Sequence, residues 1–280
     1  MNKSILHQKI AQTSKKNNSF LCVGLDSDYN RLPLSIKKGR TLMEAIFGFN
    51  KEIIDSTNVF AAVFKINPVF YAGFGLEGLK AMLLTNRYIK KNYPNMAIIA
   101  DCKRAEMLHS GELAAKEIFD EFLFDALTVS PWMGFDSIKP YTKYKDKGVF
   151  VLCKDTNPTA TEIQDISVND KKIFEIVTEK LINDWNKSGN VFCEGPLTYP
   201  DSLSRIRKIS GDDMLILVSG YGPQGGKAEN LKNAFSKNGD NIIVNASRSV
   251  IFASSGKDFA KASADSAKKI RDQINFIKQS

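Results

Sequence analysis

Nearly unbroken apolar runs of six to nine residues recur along the chain: FLCVGLD at 20–26, VFAAVFKIN at 59–67, MAIIADCK at 96–103, ALTVSP at 126–131, GVFVLCKD at 148–155, NVFCEG at 190–195, MLILVSGYG at 214–222 and NIIVNAS at 241–247. Most lack strict alternation, the pattern of parallel strands covered on both faces rather than of a one-sided antiparallel sheet. Between them the apolar spacing changes to three and four, as in Leu42-Ala45-Ile46-Phe49 and Leu113-Ala114-Ile118-Phe122, which lines one side of a helix. Further helices are predicted at 75–92, 169–187, 200–209, 228–237 and 257–278. Asp201 is expected to N-cap the helix after Pro200, and His109 or Ser110 to open the one after the third strand. Only IKPYTKY is available as a helix between strands four and five, so that unit is expected to be abbreviated.

Eight strands alternating with helices, and no linker-like Pro/Gly/Ser stretch, predict a single α/β domain over 1–280: one (β/α)8 barrel, with its active site at the C-terminal ends of the strands. A doubly wound open sheet is the rival arrangement. The length of 280 residues suits one barrel, which typically takes ~250. With 43% hydrophobic and 25% charged residues the composition is that of a globular chain with a sizeable core, which excludes disordered and fibrous classes. No run approaches the ~20 apolar residues of a membrane helix and no apolar leader opens the chain, so a cytoplasmic location and no membrane partner are expected.

Cys22, Cys102, Cys153 and Cys193 are far apart and lie in strand-like runs, which predicts reduced core thiols rather than disulfides or metal ligands. Two histidines, His7 and His109, do not make a metal cluster, so acid–base work falls to Lys, Asp or Glu. The net charge of +8 comes from scattered lysines without a nucleic-acid motif, and an anionic small substrate accounts for it equally well.

The candidate chemistry gathers at strand ends. Asp101 and Lys103 sit at i and i+2 in IIADCKR, so their side chains point to one face, and an apolar strand tolerates such charges only when paired or functional. Lys65, closing the neighbouring strand in VFKIN, is expected in the same pocket, and Glu106 lies three residues beyond Lys103. Such an alternating array keeps its lysines protonated and its carboxylates ionised near neutral pH. A structural ion pair closing the barrel mouth is the plainer alternative. SGYGPQGG at 219–226 and NASRS at 245–249 follow strands seven and eight, where barrels commonly bind phosphate through backbone N–H groups, and Arg248 is placed to grip an anion bidentately. Asp26 suits sugar hydroxyls, and Thr156 with Asn157 suits a base or amide edge. Phe70, Tyr71 and Trp132 are expected to pack rather than to stack on a ligand.

Taken together, FLCVGLD, FKINPVFY at 64–71, IIADCKR at 98–104, TVSPWMG at 128–134, VLCKDTNP at 151–158, GYGPQGG at 220–226 and NASRS resemble, in order and over nearly the whole chain, the orotidine 5'-phosphate decarboxylases of the longer bacterial type. The resemblance implies a barrel enzyme that converts orotidine 5'-phosphate to UMP in pyrimidine biosynthesis, with no metal and no cofactor. It implies that Lys103 protonates C6 of the pyrimidine, that Asp101 flanks the substrate carboxylate, and that Lys65 orders the charged network. It further implies that Asp26 contacts the ribose, that Thr156 and Asn157 meet the base, and that Gln224, Gly225 and Arg248 hold the phosphate. Asn67 and Ser110 complete the implied substrate contacts. The resemblance also implies a homodimer in which the second acidic residue, here Glu106, enters the partner's site.

Several positions depart from the family pattern: Glu106 stands for Asp, Ala105 for a common Gly, Ser110 for Thr and Thr156 for Ser. FCEGPLTYP replaces a Val-Val-Gly-Ala-Thr run, and Ser219 replaces Pro. These changes leave two alternatives: a diverged homologue acting on another phosphorylated metabolite, and a nucleotide-binding protein without turnover.

Overall fold

All eight apolar runs form strands, and these close on themselves. A computed structural model describes residues 4–222, 225–237 and 239–279. Along the chain, β1 is Leu21–Gly24, β2 Val63–Ile66, β3 Ala97–Arg104, β4 Ala126–Val129 and β5 Gly148–Leu152. A small antiparallel pair, β6 (Ser167–Val168) and β7 (Lys171–Lys172), interrupts the series. Then come β8 (Val191–Pro196), β9 (Ile216–Ser219) and β10 (Ile242–Ala246). The barrel order is β1-β10-β9-β8-β5-β4-β3-β2, with every neighbouring pair parallel. The open-sheet alternative is therefore excluded. Every residue of β1, β2, β4, β5 and β8 is buried, because inward side chains fill the barrel and outward ones lie under helices. This double covering is why the strands do not alternate in sequence.

The helical layer follows the predicted spacing with local departures. Leu42–Thr57 opens on a capping box in which Thr41 and Glu44 each satisfy the other's backbone N–H. The unit between β4 and β5 is abbreviated as expected, to one α-helical turn, Lys139–Thr142, after the 3-10 turns Pro131–Met133 and Phe135–Ser137. The helix after Pro200 is Pro200–Ser210 with Tyr199 at its N-cap; Asp201 is a first-turn residue near the positive helix end, not the cap. After β3 the helix is Leu108–Lys116 and starts from Met107, so His109 and Ser110 lie inside its first turn. The stretch 169–187 is divided: Asn169 and Asp170, both at positive φ, turn the β6–β7 hairpin, and the helix starts at Ile173 and runs to Trp185, its last turn, Leu181–Trp185, being π-helical.

Besides four one-turn helices, Leu34–Lys37, Val69–Ala72, Thr161–Gln164 and Arg248–Ile251, one long helix among the described residues has no counterpart in the predicted set. Ile5–Asn17, capped by Ser4, buries Leu6 and Ile10 and ties itself to the N-terminal ends of the strands: His7 Nε2 lies 2.7 Å from Asn241 Oδ1, and Lys9 reaches Asp125 at 3.4 Å. It covers one end of the barrel, and chemistry is left to the other. Among the described residues no helix is long and apolar enough to cross a membrane. All four cysteines are free; Cys22, Cys153 and Cys193 are buried and Cys102 half-buried.

Candidate active site

A cavity of about 520 Å³ opens at the C-terminal ends of the strands. Side chains from or just beyond β1, β2, β3, β5, β8, β9 and β10 line it. At its base lies a chain of charges. In register Lys65 pairs with Ile99, so Asp101 stands one pleat higher on the same face of β3. The long Lys65 side chain climbs that step, and its Nζ donates to Asp101 Oδ2 at 2.6 Å. Lys103 Nζ donates to the other oxygen, Oδ1, also at 2.6 Å.

The backbone is bent to make this fit. Lys103 has φ of 45°, in the left-handed region that non-glycine residues avoid, and the β3–β4 register shifts between Ala100 and Arg104. Thr128 on β4 holds the kink: its hydroxyl accepts the Lys103 backbone N–H at 2.9 Å and donates to Asp101 Oδ1 at 3.2 Å. Lys65 is fully enclosed, whereas the Lys103 side chain is 35% exposed and so open to a ligand.

Charge states follow from these contacts. Burial opposes the charge on Lys65, but Asp101 and then Asp26 outweigh it and hold the ammonium well above the ordinary lysine range. Burial likewise opposes ionisation of Asp101, and Lys65 and Lys103 together hold its carboxyl well below the usual range. Lys103 is also raised: against burial, Glu194 acts first and Asp101 next. Both lysines are therefore cationic and Asp101 anionic at neutral pH.

The rim carries polar groups. Asp26 Oδ1 accepts the Asn67 N–H at 3.3 Å, and Asn67 Oδ1 in turn accepts the Val69 N–H. Thr156 and Asn157 line the side after β5, with Thr156 O fixed by the Thr198 hydroxyl at 3.1 Å. Ser247 and Arg248 enter after β10. Gly24 permits this approach, since a Cβ there would lie 1.9 Å from Ser247 Oγ. The loop after β9 folds back on itself, with Gly226 N donating to Gly220 O and Gly222 N to Gly226 O, both at 3.0 Å. A Cβ on Gly226 would stand 2.5 Å from Gly220 O, so only glycine closes that turn. Among the described residues nothing pairs with the Arg248 guanidinium, which faces the cavity.

The model for the orotidine 5'-phosphate decarboxylase / HUMPS family matches residues 19–263. The chain belongs to this family. The orotidine 5'-phosphate decarboxylase of Ralstonia nicotianae is 38% identical over 269 residues, 96% of this chain and 97% of that protein. That of Cellvibrio japonicus is 35% identical over 272 residues, 97% and 98% of the two chains. Among solved structures, Leishmania donovani OMP decarboxylase superposes with a TM-score of 0.83 at 29% identity, covering 99% of this chain and 100% of that one. Leishmania donovani UMP synthase gives 0.84 at 30% identity, with 99% of this chain matching 56% of that longer one.

Of the family positions singled out in the sequence, Asp26, Lys65, Asn67, Asp101, Lys103, Thr156, Asn157 and Arg248 line one cavity. Gln224 lies outside the described residues, and Gly225 is exposed in the loop after β9 with φ of 98°. Glu106 and Ser110 are not brought to this cavity. Both are exposed on the segment after β3, where Ser110 Oγ donates to Met107 O at 2.8 Å. Tyr71 packs as expected, buried with its hydroxyl on Leu25 O, but Trp132 is 71% exposed and Phe70 lines the cavity. Thr128 carries no role legible in the sequence, and Glu194 stands out there only as a departure from the family pattern that would suit a diverged substrate. The signal for Glu194 was an acidic residue inside an apolar strand, the same signal that singled out Asp101.

Proposed function

We propose that this protein decarboxylates orotidine 5'-phosphate to UMP, using the Lys65–Asp101–Lys103 relay as the reaction centre. The observation that carries the reading is the Lys103 ammonium, held at 2.6 Å by Asp101 and still open to the cavity. The bond from C6 to the carboxylate breaks and CO2 leaves with no proton, so its electron pair stays on C6. A fixed ammonium beside that carbon stabilises charge that develops only in the transition state. Lys103 then gives its proton to C6, and the neutral amine regains one from solvent. Asp101 positions Lys103 and crowds the substrate carboxylate with like charge; Lys65, buried behind, keeps Asp101 ionised. Asp26 with Asn67 takes the ribose, Thr156 and Asn157 the base edge, and Arg248 with Gln224 and Gly225 the phosphate. Remote phosphate binding contributes to the chemical step by closing loops over the ring.

The active form in this reading is a cytoplasmic homodimer, with Glu106 and Ser110 completing the partner's site. Its support is an apolar surface around these residues: Leu108 is 72% exposed and Trp132 71%, and Met107, Leu113 and Met133 are exposed nearby. A diverged activity on another phosphorylated metabolite is the second reading, favoured by the acidic Glu194 in the cavity wall. The deciding assay follows loss of ultraviolet absorbance by orotidine 5'-phosphate with EDTA present. UMP formation by the wild type and none by Lys103→Ala supports the decarboxylase; no turnover in the wild type overturns it, and a screen of phosphorylated metabolites then tests the second reading.

A further inference from the structure

Glu194 is a third carboxyl group in the cavity. It sits on β8, 1% exposed, facing the space occupied by Lys103 and Asp101. In register Glu194 pairs with Leu217, so Ser219 stands one pleat above it on the same face of β9, and the Ser219 hydroxyl donates to Glu194 Oε1 at 2.7 Å. Glu194 Oε2 is buried and has no partner. A buried carboxyl oxygen left without a hydrogen bond is costly, and Glu194 lines the cavity, where a bound molecule can supply the missing partner.

The surroundings determine which form Glu194 takes. Lys103 and Asp101 face it from β3, Ser219 from β9 and Asp155 from the loop after β5. Helix Pro200–Ser210, packed behind β8, turns Arg205 towards Glu175 and spends Arg207 on main-chain carbonyls. In the turn Leu181–Trp185, Asp184 is paired with Lys180. Burial is the largest influence and pushes the Glu194 carboxyl up to about 7; Lys103 opposes it, and Asp101 and Asp155 add to it. Both forms are therefore populated near neutrality, while Lys103 and Asp101 are shifted away from that range in opposite directions.

We infer that Glu194, with Ser219 behind it, is a specificity-determining residue: as the neutral acid it donates from Oε2 to an anionic group placed beside Lys103, and as the carboxylate it rejects that group. Under the decarboxylase reading, on which this inference rests, the anionic group is the 6-carboxylate of the substrate. UMP carries only a C–H there and is indifferent to the switch.

The test compares kcat/KM for orotidine 5'-phosphate with the inhibition constant of UMP between pH 6 and pH 8. Both nucleotides carry the same 5'-phosphate, so the product of the two quantities cancels its titration, and kcat/KM reports the free enzyme. In the wild type that product falls about tenfold over the interval, because the neutral fraction of an acid titrating near 7 drops from about ten elevenths to about one eleventh. Glu194→Gln, which keeps a donor and cannot ionise, gives a flat profile. Ser219→Ala, which removes a hydrogen bond that favours the carboxylate, moves the fall to higher pH. An unchanged fall in Glu194→Gln, no fall in the wild type, or no displacement in Ser219→Ala overturns the assignment. If the wild type does not turn over orotidine 5'-phosphate, the decarboxylase reading fails. The same ratio taken from calorimetric dissociation constants then tests Glu194 by itself.

Discussion

Lys65 and Asp101 meet at 2.6 Å from strand positions that are not register partners. Lys65 is opposite Ile99, and the contact exists because a lysine stem spans one pleat along the barrel interior. Breaking a buried pair by removing one partner costs about 3–5 kcal/mol, since the remaining charge is left uncompensated. Here Lys103 still holds Asp101, so Lys65→Met is expected near the lower end, about 3 kcal/mol, read as a lower urea midpoint. An unchanged midpoint would show that Lys103 alone satisfies Asp101.

Thr128 tests whether the strained backbone at Lys103 serves chemistry. Thr128→Val keeps the shape and removes the hydroxyl that accepts the Lys103 N–H and donates to Asp101. The orphaned N–H costs on the order of 1–3 kcal/mol of stability. The displaced ammonium is expected to lower kcat by about tenfold to a hundredfold, with KM changed much less. Equal losses in kcat and stability-corrected activity of an unrelated core variant would refute a positioning role.

Arg248 is expected to act through the phosphate alone. Arg248→Ala should lower kcat/KM for orotidine 5'-phosphate by about a hundredfold, the worth of a lost charge-assisted bidentate contact. Toward orotidine lacking the phosphate the variant and the wild type should perform alike. A comparable loss on both substrates would place Arg248 elsewhere in the reaction.

A shared site makes a prediction about mixtures. If Glu106 serves the partner's cavity, Glu106→Ala and Lys103→Ala homodimers are both impaired, yet mixing and refolding them produces heterodimers with one intact site. Random reassortment then restores about a quarter of wild-type activity. Recovery no greater than the sum of the separate variants would mean that Glu106 does not cross an interface. Leu108→Lys, placed on the exposed apolar surface, should make specific activity depend on protein concentration.

Much of this protein was legible in its sequence because the determinants are local or periodic. Continuous apolar runs specify strands covered on both faces, so all eight barrel strands can be placed from the sequence. Asp101 and Lys103 were legible for the same reason, since i and i+2 share a face and charges in an apolar strand stand out. The helix Ile5–Asn17 was missed because it docks by only a few buried side chains, Leu6 and Ile10 among them, and its amphipathic pattern is short. The Asn169-Asp170 turn was hidden inside a segment with helical spacing.

Tertiary structure alone decided which side chains meet. The left-handed backbone at Lys103, the Thr128 bridge and the Glu194–Ser219 pair all depend on how neighbouring strands are staggered around a closed barrel. A strand's own pattern says which face each residue takes, but not which residue on the next strand stands one pleat higher. Glu106 shows the same boundary from the other side. Three residues from Lys103 in sequence, it is exposed and outside the cavity lining, and Glu194, ninety-one positions along the chain from Lys103, supplies the neighbouring carboxyl instead. Sequence determines periodicity and charge; closure of the barrel determines proximity, because it brings strand ends together whatever their separation along the chain.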